Sequence, residues 1–210
     1  PFSYQANDYA PSSPAILEED LVPQKYIRYC NINQVDKYEP VSWNLWMNIL
    51  RRTPGSTLAL YRMRDPLGAH VVRHLSEEAE VRGIHPQRIK WFERLPRKQH
   101  AQRIASQCDL FLDHLLYGAH TTGADALWAA VPLLTINGWG GSLKDQAGRF
   151  SSRVGASLVR SLGLEKYVLM DTLRDFEDVA VDVPRHKLRT ATLAATAREP
   201  LFDAGNSVSN

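Results

Sequence analysis

The chain has 210 residues, 44% hydrophobic and 23% charged, with a formal net charge of +2 at pH 7. That length fits one large domain or one domain with attached segments, and the composition is ordinary for a globular protein. The small net charge, with Lys and Arg spread along the chain, argues against a nucleic-acid partner, and no apolar run approaches the roughly 18 residues of a membrane span. No signal peptide opens the sequence, and a start at Pro1 rather than Met leads us to expect a piece of a longer protein. Cys30 and Cys108 each lie in apolar, strand-like surroundings. Buried free thiols in a reducing compartment are therefore expected rather than a disulfide.

Residues 1–24, rich in Pro, Ser, Asn and Asp, read as an extended connector. The aromatic and β-branched run 26–32 predicts a first strand, ending in the polar turn 33–37. Pro40 opens a predicted helix through Arg52, in which Trp43, Trp46, Met47, Ile49 and Leu50 recur at helical spacing. A strand over 56–62 and a helix over 66–82 follow, the latter closed by Gly83. Strands are expected at 88–92, 109–112 and 133–136, with a helix over 96–107. A further helix, with the hydroxyls of Thr121 and Thr122 in its first turn, runs to Ala130. The glycine-rich loop 137–142 is expected to be mobile. Beyond it we expect helices over 150–162, 172–180 and 184–197, a small strand at 168–170, and a frayed tail over 199–210.

Strands alternating with helices of this length mean βαβ units: an α/β fold with a Rossmann-like parallel sheet covered by helices on both faces. We expect that lobe to span residues 25–198. In such sheets ligands lie outside the carboxyl ends of the strands, and three polar groups fall there. The first is Asn33 to Lys37, with Gln34 and Lys37 as its candidate contacts. The second holds Arg97, His100 and Arg103, of which the last two share a helix face. The third is Gly118 to Asp125, with His120 beside the loop, Thr121 and Thr122 at the helix start and Asp125 in its first turn. A small-residue loop running into a helix N-terminus reads either as a diphosphate cradle or as plain capping by Thr121 or Thr122. Lys37 reads either as a charge for a ligand phosphate or as a solvated loop lysine. His70 and His74 lack a third partner, so no metal site is expected. A dinucleotide glycine fingerprint and a phosphate loop ending in Gly-Lys-Ser/Thr are both missing, which disfavours a dehydrogenase.

Cys30-Asn31-Ile32-Asn33-Gln34-Val35-Asp36-Lys37, Pro96-Arg97-Lys98-Gln99-His100 with Arg103, and His120-Thr121-Thr122-Gly123-Ala124-Asp125-Ala126-Leu127-Trp128 together resemble the O-GlcNAc transferase family. The likeness covers about residues 1–183. It implies one lobe of a GT-B glycosyltransferase, the C-terminal one that holds the nucleotide, acting without metal or cofactor on UDP-GlcNAc. The acceptors implied are Ser and Thr of proteins in the cytoplasm or nucleus. Residue by residue, Gln34 and Lys37 match diphosphate contacts, with Lys37 stabilising the departing UDP. Arg97, His100 and Arg103 match positions around ribose and uracil, with Arg97 standing where the family has lysine. Thr121 and Thr122 match phosphate-binding threonines, Asp125 the ribose carboxylate, and His120 a histidine beside the sugar.

Tyr117 stands where many members have cysteine. In that it resembles the SPINDLY branch, which transfers fucose from GDP-fucose. The segment 137–146 is longer than usual for the family. The resemblance also implies an N-terminal catalytic lobe and tetratricopeptide repeats in the full-length protein. On that basis this fragment is expected to fold and bind UDP weakly, with little or no transfer on its own. A lobe that binds a nucleotide or protein without catalysis is the alternative from another class.

Overall fold

The computed structural model describes residues 26–138, 149–182 and 185–196. Six parallel strands form the sheet: β1 (Arg28–Asn31), β2 (Thr57–Tyr61), β3 (Ile89–Phe92), β4 (Leu110–Leu112), β5 (Leu133–Ile136) and β6 (Leu169–Met170), in the order β3-β2-β1-β4-β5-β6. The helices are α1 (Pro40–Arg52), α2 (Leu67–Val81), α3 (Arg97–Gln107), α4 (Thr121–Trp128), α5 (Val154–Ser161), α6 (Glu165–Val168), α7 (Leu173–Asp182) and α8 (Arg185–Thr196). β4 and β5 are buried at every residue, as strands covered on both faces must be. The α/β, Rossmann-like architecture read from the sequence is the architecture observed.

Local chemistry explains the elements that matter for the site. Pro40 pre-sets the first turn of α1, and the Glu39 carboxylate accepts from Val41 N (2.7 Å) and Ser42 N (2.9 Å). One face of α1 then buries Trp43, Leu45, Trp46, Met47, Ile49 and Leu50. Gly83, at φ +76, takes the left-handed position just past α2. Arg28 clamps β1 to the start of β4: its Nη2 donates to Asp109 Oδ1 (2.7 Å) and its Nε to Asp109 Oδ2 (3.1 Å). Both cysteines are buried free thiols.

Several expectations are corrected. The turn 33–37 contains a short 3-10 helix, Val35–Lys37. The helix expected over 150–162 divides into a 3-10 turn, Phe150–Ser152, and α5. The cause is Ser151, whose carbonyl accepts from Gly118 N (3.0 Å) in the loop before α4. Helix α4 starts at Thr121, so Asp125 falls beyond its first turn. Val168 ends α6 rather than opening β6. The connector 1–24, the tail 199–210 and all but Asn137 and Gly138 of the long segment 137–146 lie outside the described residues.

Candidate active site at the sheet switch point

β1 and β4 are neighbours, yet the chain leaves β1 toward β2 and β3, and leaves β4 toward β5 and β6. Strand order reverses between them, and connections that diverge in this way leave a crevice beyond the carboxyl ends of the two strands. A cavity of about 610 Å³ lies there, lined by Asn33, Gln34 and Lys37 after β1, by Tyr117, His120, Thr121 and Thr122 after β4, and by Tyr61, Arg94, Leu95 and His100. Two chain segments more than 80 residues apart thus face each other across one site.

Lys37 Nζ crosses the crevice to donate to Gly118 O (3.2 Å) and Asn33 Oδ1 (3.4 Å), and it stands 4.3 Å from the centroid of the Tyr117 ring. Burial lowers its pKa, against the opposing pull of Asp113 and Asp36. Tyr117 stacks on His120 with centroids 4.9 Å apart. The His120 imidazole, 3.3 Å from Ser151 O, has its pKa lowered by burial.

Plain capping by the threonines is not what the structure holds. His120 occupies the N-cap without a side-chain bond to the helix, and Thr121 and Thr122 are the first two helical residues. Their backbone N–H groups have no partner among the described residues, so they aim the positive end of α4 at the cavity. The Thr122 hydroxyl donates to Asn33 Oδ1 (2.5 Å).

The other expected residues divide. His100 lines the cavity, and its Nδ1 lies 3.3 Å from Arg103 Nη2. A guanidinium only donates, so Nδ1 accepts and the ring proton of neutral His100 sits on Nε2. Burial, then Arg103, lowers the His100 pKa to about 4. Arg103 itself lies outside the lining, over the Phe92 ring (4.5 Å) and donating to Glu93 O. Asp125 is buried at 9% exposure behind the threonines, where burial raises its pKa to about 7, and it does not line the cavity. Arg97 begins α3, and its side chain lies outside the described residues.

Two residues that shape the site, Asp113 and His114, are not among the sequence candidates, and Asn33 is there only as the first residue of the group 33–37. Asp113, 1% exposed, accepts through Oδ1 from His114 N (2.8 Å) and Ala119 N (2.6 Å), and through Oδ2 from Thr135 Oγ1 (2.7 Å). It folds the loop 113–119 back on itself and so sets where α4 begins. Burial raises its pKa to about 6. Leu115 N donates to Ser42 Oγ (3.0 Å), which ties the same loop to α1. Asn33 and His114 complete the set. A carboxylate closing an apolar strand just before small residues was the available signal for Asp113, and the polar turn after β1 was the signal for Asn33; nothing local marks His114.

This strand order, with its polar crevice at the switch point, defines an open α/β lobe of the Rossmann kind. The family model of Glycosyl transferase family 41 matches residues 16–208, and the chain belongs to that family. It is 30% identical over 224 residues to the Arabidopsis thaliana "Probable UDP-N-acetylglucosamine--peptide N-acetylglucosaminyltransferase SEC", covering 100% of this chain and 21% of that protein. A Caenorhabditis elegans UDP-N-acetylglucosamine--peptide N-acetylglucosaminyltransferase is 31% identical over 160 residues, 76% of this chain and 13% of that one. The Petunia hybrida "Probable UDP-N-acetylglucosamine--peptide N-acetylglucosaminyltransferase SPINDLY" is 24% identical over 216 residues, covering 100% of this chain and 22% of that protein. The chain therefore spans about a fifth or less of the curated relatives it matches. Among solved structures, a Thermobaculum terrenum O-GlcNAc transferase mutant matches with TM-score 0.72 at 23% identity, over 86% of this chain and 34% of its own. WaaG, a glycosyltransferase of lipopolysaccharide biosynthesis, matches with TM-score 0.57 at 11% identity, over 89% of this chain and 46% of its own. The fold is one lobe of a GT-B glycosyltransferase.

Proposed function

We propose that this chain is the nucleotide-holding half of a protein O-GlcNAc transferase. In this reading the crevice holds the diphosphate of UDP-GlcNAc, and the whole protein moves GlcNAc to Ser and Thr hydroxyls. One observation carries the reading: the Lys37 ammonium and the N–H groups of Thr121 and Thr122, unpartnered among the described residues, converge on one cavity from opposite walls. In transfer, the acceptor oxygen bonds to the sugar's anomeric carbon, the bond from that carbon to the phosphate oxygen breaks, and its electron pair leaves on the diphosphate. Fixed donors aimed at that growing charge lower the barrier. Lys37, the Thr121 hydroxyl and the start of α4 supply such donors, so the mechanism calls on no metal and no cofactor.

Gln34 joins Lys37 on the diphosphate. His100 offers its Nε2 proton to ribose or base, with Arg103 holding its tautomer and Arg97 one turn before it. Asp125, just behind the threonines, is assigned to the ribose hydroxyls on the family resemblance. Tyr117 and His120 flank the sugar. The curated relatives are several times longer than this chain. Acceptor docking and further catalytic groups are therefore assigned to an N-terminal lobe and tetratricopeptide repeats of the full-length protein, at work in the cytoplasm or nucleus. The buried free thiols support a reducing compartment.

A second reading, transfer of fucose from GDP-fucose, is favoured by Tyr117 alone. All three relatives, the SPINDLY protein included, carry the name UDP-N-acetylglucosamine--peptide N-acetylglucosaminyltransferase, which supports GlcNAc as the first reading. The test of the catalytic assignment is Lys37→Ala in the full-length protein. We expect transfer to fall by about 100-fold or more, the scale of losing an electrostatic stabiliser, with an unchanged melting temperature. Near-normal turnover would sink the assignment.

A further inference from the structure

Asn33 is 1% exposed and touches both walls of the crevice at once. Its Oδ1 accepts from Thr122 Oγ1 (2.5 Å) and Lys37 Nζ (3.4 Å), and its Nδ2 lies 3.3 Å from His114 Nδ1. The amide orientation follows from chemistry. Reversed, the amide would set an N–H donor against an ammonium that has only donors to offer. His114 Nδ1 also lies 3.2 Å from Asn31 Nδ2. Asn31 is fixed independently, because its Nδ2 donates to Leu112 O (2.7 Å) and its Oδ1 accepts from Asn33 N (3.0 Å). Two amide donors therefore converge on Nδ1, which must be the unprotonated nitrogen, with the ring proton on Nε2. The imidazole lies between Tyr38 (centroids 5.1 Å) and Trp46 (5.0 Å). Burial keeps it neutral, lowering its pKa to about 3.

We infer that Asn33 is a positioning residue that locks Lys37 to the start of α4, and that His114 sets its amide so that the carbonyl faces them. The inference rests on the reading of this crevice as a diphosphate site. The lock couples the two walls: Lys37 cannot withdraw, and α4 cannot shift, without breaking a bond to the same oxygen. It also commits the Thr122 hydroxyl, leaving Thr121 and the two backbone amides as the groups of α4 that meet a phosphate.

The experiment is calorimetric titration of the full chain with UDP, paired with thermal melts, for Lys37→Ala, Asn33→Ala, His114→Phe and His114→Asn. Phe keeps the ring volume but removes the acceptor. Asn leaves a cavity but places an amide oxygen near the Nδ1 position. We expect Lys37→Ala to lose measurable binding and Asn33→Ala to weaken it about tenfold, the worth of one hydrogen bond to a charged group. His114→Phe should bind UDP more weakly than His114→Asn while melting at a higher temperature. A merely structural role gives the reverse order, with affinity following stability. That order, or wild-type affinity in Asn33→Ala while Lys37→Ala fails to bind, overturns the inference and leaves the diphosphate site standing. Wild-type affinity in Lys37→Ala, or no UDP binding by the unaltered chain, overturns the diphosphate site and the inference with it.

Discussion

The ammonium of Lys37 stands 4.3 Å from the centroid of the Tyr117 ring, a contact between residues on opposite walls of the crevice. Tyr117 in turn stacks on His120, so the cation, the phenol and the imidazole form one block. A cation over an exposed ring contributes about 0.5–1 kcal/mol. Tyr117→Phe, which keeps the ring, should leave UDP affinity within about twofold, whereas Tyr117→Ala should weaken it by no more than about fivefold, the equivalent of that contact. The larger change in Tyr117→Ala should be in the ratio of UDP-GlcNAc to UDP affinity, read by competition calorimetry, because the ring flanks the proposed sugar position. An unchanged ratio would remove Tyr117 from the sugar pocket.

Asp113 makes stability depend on pH in a defined direction. Its folded pKa, about 6, lies above the ordinary 3.8. The folded state therefore binds the proton more tightly, and the stability this contributes is greatest below pH 3.8 and is lost as pH rises through about 6. Asp113→Asn should be less stable than wild type at every pH, by about 1–3 kcal/mol, because an amide cannot accept from all three donors. The gap should be wider at pH 4 than at pH 7 in urea unfolding. A gap that widens toward pH 7 would mean that the carboxylate, not the acid, is the form the fold favours.

Gly155 tests the same clamp sterically. A Cβ there would lie 2.4 Å from Asp113 Oδ2 and 2.7 Å from Thr135 Oγ1. Gly155→Ala must therefore displace the carboxylate, and overpacking of this kind costs about 1–3 kcal/mol. Because Asp113 also holds Ala119 N, UDP affinity should fall together with the melting temperature. Lower stability with unchanged affinity would show that the loop before α4 is placed without Asp113.

His100 should answer to Arg103. Burial is the larger cause of its low pKa and the guanidinium charge the second, so Arg103→Gln should raise the His100 pKa toward 6.5 in an NMR titration. As a histidine whose pKa is depressed on folding, it contributes stability that is full above pH 6.5 and is lost as pH falls toward about 4. The variant should show a shallower acid loss of stability over that window. A His100 pKa that stays near 4 would assign the whole depression to burial.

The sequence made the scaffold legible where local chemistry sufficed. Pro40 and the spacing of Trp43, Trp46 and Leu50 mark α1 to the residue, and the apolar run of β5 is equally plain. The contacts within the site were not legible, because they join distant residues. Asn33 meets Thr122 across 89 positions, and Asn31 meets His114 across 83. The break between Phe150–Ser152 and α5 depends on Gly118 N reaching Ser151 O, which no helical period encodes. Asp125 reads as a helix-start carboxylate until α4 is seen to begin at Thr121 and to bury it.

The measurement closest to the central claim is a calorimetric titration of the full chain with UDP, GDP, UDP-GlcNAc and GDP-fucose in turn. The crevice as described should bind UDP and UDP-GlcNAc, bind GDP and GDP-fucose at least about tenfold more weakly, and lose all four in Lys37→Ala. Binding of GDP in preference to UDP, or binding that survives Lys37→Ala, would contradict it.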